Sequence, residues 1–136
     1  MDRKNTVALW GPCVGLVVLA VLLAGGPGLA QPREPIKIGL LHSLTGALAV
    51  NGTEITEGIR IYWEDEMGSQ VAGRPVRLIV EDDEAKPDVG LTKTRKLAES
   101  DKAHLILGPV SSGVAVAMRD YLHERKVPWI ITQATA

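Results

Sequence analysis

One stretch of the sequence indicates the fold more clearly than any other: Leu105-Ile-Leu-Gly-Pro-Val-Ser-Ser-Gly-Val114. Its apolar residues have the length of a strand and stop at Gly108-Pro109, after which the apolar spacing becomes helical. The predicted loop therefore places Ser111, Ser112 and unpaired backbone N–H groups at the N-terminus of a helix. Such a place binds an anion or a carboxylate well. For this stretch alone, an ordinary serine N-cap is the simpler interpretation.

The same alternation of strand and helix continues along the rest of the chain. Apolar runs predict four strands, over residues 36–41, 75–80, 104–107 and 127–131, and helical spacing predicts helices over 54–67, 88–100 and 113–125. Residues 42–52 are predicted to form a loop, with Asn51-Gly52 as a turn signal. Strands that alternate with helices imply right-handed crossovers. The predicted fold class is therefore α/β, a parallel sheet with helices on both faces.

In such a sheet, a ligand binds beyond the carboxyl ends of the strands, where the strand order reverses. The connections predicted at that edge are 43–51, 82–86, 108–113 and 133–136. They are rich in hydroxyl groups, glycines and short polar side chains, and they lack the Gly-x-Gly-x-x-Gly spacing of dinucleotide sites. A ligand other than a dinucleotide is expected at this edge. Asp82 and Asp83 are interpreted more simply, as acidic residues that satisfy N–H groups at the start of the next helix.

The composition is that of one ordinary globular domain. Of 136 residues, 46% are hydrophobic and 23% are charged, and a net charge of −1 gives no electrostatic support for a nucleic-acid partner. No grouping of His, Cys and carboxylate residues has the spacing of a metal site, so neither a metal nor a cofactor is predicted. His42 follows the first predicted strand, and a hydrogen-bonded strand-end histidine is favoured over one that lines a ligand cleft.

Residues 1–30 have the pattern of a secretory signal peptide. A positively charged start precedes an apolar run over 14–24, and small residues stand before the predicted cleavage site at Gln31. The alternative is a retained membrane anchor over 7–24. The only cysteine, Cys13, lies in this segment, so the exported part is expected to fold without a disulfide. The predicted location is the periplasm.

Several motifs, taken in order and with their spacing, resemble those of one protein family. They are Ile36-Lys-Ile-Gly39 followed by Ser43-Leu-Thr-Gly46, a strand that closes on Glu81-Asp-Asp83, Leu107-Gly-Pro-Val-Ser-Ser112, and Val127-Pro-Trp-Ile-Ile-Thr-Gln-Ala-Thr135. Residues 36–136 are similar to the N-terminal lobe of the periplasmic branched-chain amino-acid (leucine/isoleucine/valine) binding proteins, type I substrate-binding proteins of ABC transporters. The resemblance implies two α/β lobes that are joined by a hinge and close on a ligand.

The resemblance also implies roles for individual residues. Ser112 corresponds to a serine that binds the ligand α-carboxylate through its hydroxyl and backbone N–H, and Thr135 corresponds to a threonine that binds carboxylate and ammonium together. Gln133 stands where the family uses a backbone carbonyl. Asn51 stands where amino-acid binders often carry an aromatic residue over the ligand, which leaves the ligand identity open. Ser111, a further candidate ligand residue, stands where some members have a disulfide cysteine.

The implied function is extracytoplasmic capture of an amino acid or similar small polar ligand for import, with an ABC permease as partner. The alternative is a ligand-sensing receptor or regulator of the same fold, of the amide or urea type. No enzyme is expected, because residues 108–113 do not form the Gly-x-Ser-x-Gly elbow and the third strand does not end in a receiver-domain phosphoacceptor Asp. Residues 31–136 are interpreted as the N-terminal part of the ligand-binding domain, truncated before its second lobe. Alone, they are expected to bind ligand weakly and to expose an apolar sheet edge.

Overall fold

The structure, a computed structural model, describes residues 33–135, and the predicted signal peptide over 1–30 lies outside them. The strands are β1 (Ile36–His42), β2 (Gln70–Val71), β3 (Arg74–Asp82), β4 (Leu105–Leu107) and β5 (Trp129–Ile130). They form one sheet in the order β2-β3-β1-β4-β5. Strand β1 pairs in parallel with β3 on one side and with β4 on the other, and β5 extends the parallel part beyond β4. This arrangement confirms the predicted α/β fold.

The sheet is mixed rather than wholly parallel, because β2 pairs antiparallel with β3. A two-residue turn joins these strands, and its residues Ala72 and Gly73 have φ values of 49° and 72°. Positive φ at both central residues is the geometry that matches the twist of a hairpin. The sequence analysis did not predict this hairpin, since a strand of two residues has no measurable alternation.

Three helices connect the parallel strands. Helix α1 (Ala49–Ile61) follows a 3₁₀ turn and continues into a π-helical turn, α2 (Pro87–Arg95) also ends in a π-helical turn, and α3 is Ser112–Arg125. The second and third helices lie where the sequence predicted them. The fourth predicted strand is shorter than expected and comprises only Trp129–Ile130. Within residues 33–135, no helix combines the length and the apolar content that a membrane span requires.

The helices lie on both faces of the sheet, as two neighbouring residues of β1 show. Successive side chains of a strand point to opposite faces. Leu41 belongs to a fully buried cluster with residues of β4, α3 and the turn that extends α2, namely Leu97, Ile106, Val114, Met118 and Leu122. His42, on the opposite face, contacts Thr56 of α1. Helix α1 therefore covers one face, and α2 and α3 cover the other.

The prediction of a loop over residues 42–52 is wrong for most of its length. His42 is the last residue of β1, and the chain is helical from Gly46 onward. Asn51-Gly52 therefore lies in the first turn of α1, not in a β-turn. A Cβ added to Gly52 would stand 2.0 Å from the carbonyl oxygen of Ser43. This glycine is explained by the close approach of α1 to the loop after β1, since any side chain there would overlap the backbone.

Helix α1 buries its apolar residues less completely than its spacing predicted. Ile55 and Ile59 are half-buried, and Tyr62 remains 53% exposed. The fully covered positions of the helix are instead Gly52 and Thr56. At the β5 end of the sheet, Ile130 is 56% exposed.

Candidate functional site

The carboxyl ends of β1, β3, β4 and β5 lie at one edge of the sheet because these four strands are parallel. The segments that leave this edge are residues 43–45, 83–86, 108–111 and 131–135. We refer to them together as the carboxyl edge. Hydrogen bonds connect these segments to one another and to the start of α3, which is Ser112.

Asp82, the last residue of β3, holds two of these segments together. Its Oδ1 accepts hydrogen bonds from the backbone N–H groups of Leu44 and Glu84, both at 2.8 Å, and of Thr45 at 3.3 Å. Its Oδ2 accepts the hydroxyl proton of Thr45 at 2.6 Å. Burial alone would raise the pKa of Asp82, but these hydrogen bonds outweigh burial and lower the pKa. The carboxylate is therefore held ionised as a structural anchor.

Asp83 is fully buried and makes the second connection. Its Oδ1 accepts the hydroxyl proton of Ser43 at 2.5 Å and the N–H of Ala85 at 2.8 Å. The interpretation of Asp82 and Asp83 as residues that satisfy backbone N–H groups is correct, but its location is wrong. The N–H groups belong to the loops after β1 and β3, not to the first turn of α2, so both side chains shape the loops and do not cap a helix.

Gly108 brings the loop after β4 directly against β1. Its φ of 125° is a conformation that residues with a side chain rarely adopt. A Cβ at this position would stand 2.0 Å from the carbonyl oxygen of Leu41. The glycine in the stretch Leu107-Gly-Pro is thus explained by both backbone conformation and space. It places Ser111 and Ser112 at the start of α3, beside the end of β1.

Two residues predicted to bind the ligand carboxylate are in contact. The backbone N–H of Thr135 donates a hydrogen bond to the Oγ of Ser112, 3.2 Å away. Ser112 is half-buried in the first turn of α3, and Thr135 is exposed. The structure therefore brings together the loop after β5 and the N-terminus of α3, which are 23 residues apart in sequence.

Ser111 occupies the N-cap position of α3, but its side chain makes no capping hydrogen bond. The interpretation of this stretch as an ordinary serine cap is therefore wrong for the hydroxyl group. The first N–H groups of a helix have no partners inside the helix, and within residues 33–135 the N-cap side chain does not bind them. They remain available, with the positive end of the helix dipole, beside Ser112.

The remaining candidates, Gln133 and Asn51, take no part in this contact. Gln133 is exposed in the loop after β5. Asn51 is exposed in the first turn of α1, because residues 46–52 are helical and not a loop. Within the described part of the chain, no hydrogen bond joins Asn51 to Ser112 or to Thr135. The structure thus groups Ser111, Ser112 and Thr135, and it leaves Asn51 as a separate position.

His42 is fully buried beneath the carboxyl edge, which confirms its interpretation as a hydrogen-bonded strand-end histidine. Its Nδ1 lies 2.8 Å from Thr56 Oγ1, and its Nε2 lies 3.2 Å from Thr132 Oγ1. Burial lowers the pKa of His42 to about 4. The sequence analysis missed Thr132, since a single threonine between Ile131 and Gln133 carries no recognisable signal.

Two other features bear on the chemistry of the described residues. Among residues 33–135, no three His, Cys, Asp or Glu side chains are grouped so that they could hold a metal ion. A cavity of about 440 Å³ lies between the end of α1 and strand β3, and it is lined by side chains that include Trp63, Arg77 and Val80. None of the candidate ligand residues lines this cavity.

Comparison with known proteins identifies the family. A family model described as "Periplasmic binding protein" matches residues 35–136. The Leu/Ile/Val-binding protein BraC3 of Rhizobium johnstonii is 34% identical over 119 residues, which cover 86% of this chain and 32% of that protein.

Solved structures agree with this match. An ABC transporter substrate-binding protein from Sphaerobacter thermophilus superimposes with a TM-score of 0.73 at 44% identity, over 76% of this chain and 28% of that one. A solute-binding protein of an ABC transporter from R. palustris, in complex with benzoate, gives a TM-score of 0.69 at 36% identity, over 74% and 28% of the two chains. This chain thus spans about a third or less of the length of these relatives. It belongs to the periplasmic binding protein family, whose members have a solute-binding fold.

Proposed function

We propose that this chain is the N-terminal part, over residues 31–136, of the extracytoplasmic solute-binding component of an ABC transporter. The observation that carries the proposal is the contact between Thr135 and Ser112 at the uncapped N-terminus of α3. The proposal assigns ligand binding to the carboxyl edge, to which a second lobe would contribute the opposite wall. Support for two lobes comes from the relatives, of which this chain covers 32% and 28%.

The proposed ligand group is a carboxylate, and the geometry around Ser112 suits one. The hydrogen bond from Thr135 N uses a lone pair of the Ser112 oxygen and leaves the hydroxyl proton free to donate. The first N–H groups of α3 add further donors, and the helix dipole favours a negative charge at this end. The Thr135 hydroxyl completes the proposed set. All of these donors are neutral and fixed, so they bind an anion without supplying a catalytic group.

The relatives are consistent with this ligand class. Their names describe binding of leucine, isoleucine and valine in one case and a complex with benzoate in another. These compounds have different side groups, but each carries a carboxylate. We therefore propose a carboxylate-bearing small molecule, such as an amino acid or a similar small polar acid. The exposed Asn51 and the backbone carbonyl of Gln133 are proposed as further ligand contacts of the first lobe.

The remaining parts of the proposal concern location and partner. We propose that residues 1–30 direct export to the periplasm, where the loaded protein docks on the membrane permease of its transporter. This part rests on the charged start and apolar core of the segment and on the extracytoplasmic character of the family.

Calorimetric titration of a two-lobed protein that carries residues 31–136 as its first lobe tests the ligand class. Leucine, benzoate and the neutral compounds acetamide and urea are titrated separately under identical conditions. The proposal predicts saturable one-to-one binding of at least one carboxylate and no heat from the neutral compounds, which cannot use the helix dipole as a charged group does. Binding of acetamide or urea without binding of a carboxylate would instead support a sensor of the amide or urea type.

A further inference from the structure

The ring of His42 connects three structural elements that surround the carboxyl edge. It is the last residue of β1 and is fully buried. One ring nitrogen faces Thr56 of α1 at 2.8 Å, and the other faces Thr132 of the loop after β5 at 3.2 Å. The ring also lies under the loop after β4, since a Cβ on Gly108 would stand 3.2 Å from its Cδ2.

The direction of each hydrogen bond follows from counting protons. The Thr56 hydroxyl donates to the carbonyl oxygen of Gly52, 2.7 Å away, as threonine often does inside a helix. A hydroxyl has one proton, so Thr56 Oγ1 can only accept from His42, and Nδ1 of the ring must carry the hydrogen. In a neutral imidazole the other nitrogen is then an acceptor. Both Nε2, at 3.2 Å, and the carbonyl oxygen of Pro109, at 3.3 Å, are then acceptors, so they share the single hydroxyl proton of Thr132. Burial keeps the ring neutral by lowering its pKa to about 4.

We infer that His42 is a positioning residue. Through its hydrogen bond with Thr132, it fixes the distance between the start of α3 and the loop that carries Gln133 and Thr135. Among the residues that the structure describes, the loop after β5 makes few other hydrogen bonds. Thr132 Oγ1 also lies 3.3 Å from the carbonyl oxygen of Pro109, and three residues later Thr135 N meets Ser112 Oγ. Both contacts depend on where the ring holds Thr132.

This inference deepens the proposed function and rests on it. A carboxylate bound between Ser112 and Thr135 would never touch His42. Its affinity would nevertheless depend on the ring, because the ring fixes the separation of the two donors. The strand β1 supplies the rigid base for this arrangement, since its backbone pairs with β3 and β4 on both sides.

The first test determines the tautomer of His42 in the purified protein by ¹⁵N NMR of its histidine rings above their pKa values. The expected result is a hydrogen on Nδ1 and an unprotonated, hydrogen-bonded Nε2. His104 is an internal contrast, because the N–H of Lys37 donates to its Nδ1 at 3.1 Å and predicts the opposite tautomer. A hydrogen on Nε2 of His42 would overturn this assignment of the hydrogen bonds, because the ring would then donate to Thr132, and Thr132 to the carbonyl oxygen of Pro109.

The second test changes Thr132 and follows the Thr135 amide, which reports the contact with Ser112. In T132V, the hydroxyl is lost with little change of shape, and the Thr135 amide is expected to shift upfield and to exchange several-fold faster with solvent. T132S keeps the hydroxyl and is expected to retain the wild-type signal. T92V removes a hydroxyl from the exposed side of α2 and is the matched control. An unchanged Thr135 amide in T132V would overturn the inference.

Ligand titration of the same variants, in a two-lobed protein, separates this inference from the proposed function. If wild type binds a carboxylate and T132V binds it about tenfold more weakly, both are supported. If wild type binds no carboxylate while the NMR results are as expected, the proposed function fails and the positioning of the loop stands. Equal affinities of wild type and T132V would contradict the role of His42 in binding.

Discussion

Replacement of Asp82 by alanine should weaken the carboxyl edge more than any other single change of a charged residue there. The carboxylate accepts four hydrogen bonds from Leu44, Thr45 and Glu84, and three of them are 2.8 Å or shorter. In D82A, the N–H groups of Leu44 and Glu84 lose their acceptor while half-buried. Water cannot reach both groups in the geometry that the carboxylate provides, so the loops after β1 and β3 should separate.

The expected magnitude follows from the number of bonds lost. A hydrogen bond to a charged group contributes roughly 1.5–3 kcal/mol. If only the two short backbone bonds are counted, at the lower value because the site is half-buried, D82A should reduce the free energy of unfolding by about 3 kcal/mol. For a domain of this size, each kcal/mol corresponds to roughly 4–8 °C in Tm, so the expected decrease is at least about 12 °C. D82N keeps an acceptor oxygen in place, so it should reduce the free energy of unfolding by less than D82A does.

Thermal and urea unfolding of wild type, D82A and D82N measure these differences. D120A is the matched control, since Asp120 is 77% exposed and, within residues 33–135, forms an ion pair only with its neighbour Arg119; it should unfold like wild type. Acidification below the ordinary Asp pKa of 3.8 should shrink the gap between wild type and D82A, because the lowered pKa of Asp82 stabilises the fold only while the group is ionised. A D82A protein within about 1 kcal/mol of wild type would refute the anchoring role.

Three further changes test other parts of the structure. As the pH falls from 6.5 toward 4, unfolded His42 takes up a proton that folded His42 does not, so stability should decrease by about 1.4 kcal/mol per pH unit in urea titrations, and H42N should lack this slope. G108A should lower the free energy of unfolding by roughly 3 kcal/mol or more in the same assay. G58A, at a position with open space around it, should raise the free energy of unfolding by about 0.5–1 kcal/mol. L97A should lower the free energy of unfolding by about 2–5 kcal/mol, because Leu97 is fully buried. V116A, at a position 55% exposed, should leave the free energy of unfolding nearly unchanged.

The order of strands and helices was predictable largely because the central strand β1 is buried between helices on both faces. Residues 36–41 and 104–107 are nearly continuous apolar runs, and such runs are typical of strands between two layers of helices. Pro87 fits the first turn of α2, where a helix needs no N–H from that residue. These signals are local, so sequence alone could locate β1, β4, α2 and α3 to within one or two residues.

The start of α1 was not predictable in the same way. Asn51-Gly52 has the composition of a turn, and local preference favours one there. In the structure, Gly52 allows the helix to approach the carbonyl of Ser43. Ser43 lies in the loop before the helix, and it is separated from Gly52 in sequence but adjacent to it in space. A glycine that close packing requires cannot be distinguished, in a sequence, from a glycine that a turn requires. The tertiary contact decides between them.

The candidate site was predictable only in part. The motif around Ser111 and Ser112 indicated a helix N-terminus with free donors, and the structure has one there. The partners Thr135 and Thr132 come from a loop 20 or more residues away. No periodicity in the sequence connects such residues. The acidic pair after β3 shows the same limit, because its charge was evident while the loop N–H groups that it binds were not.

The measurement that tests the central claim most directly is the ligand affinity of S112A in a two-lobed protein, compared with wild type and with S100A. Ser100 is exposed in the turn after α2, at the other end of β4, and serves as the control. Loss of one charge-assisted hydrogen bond should weaken carboxylate binding roughly 10- to 100-fold in S112A, with S100A unchanged. An S112A protein that binds the carboxylate as tightly as wild type would contradict a binding site at the start of α3.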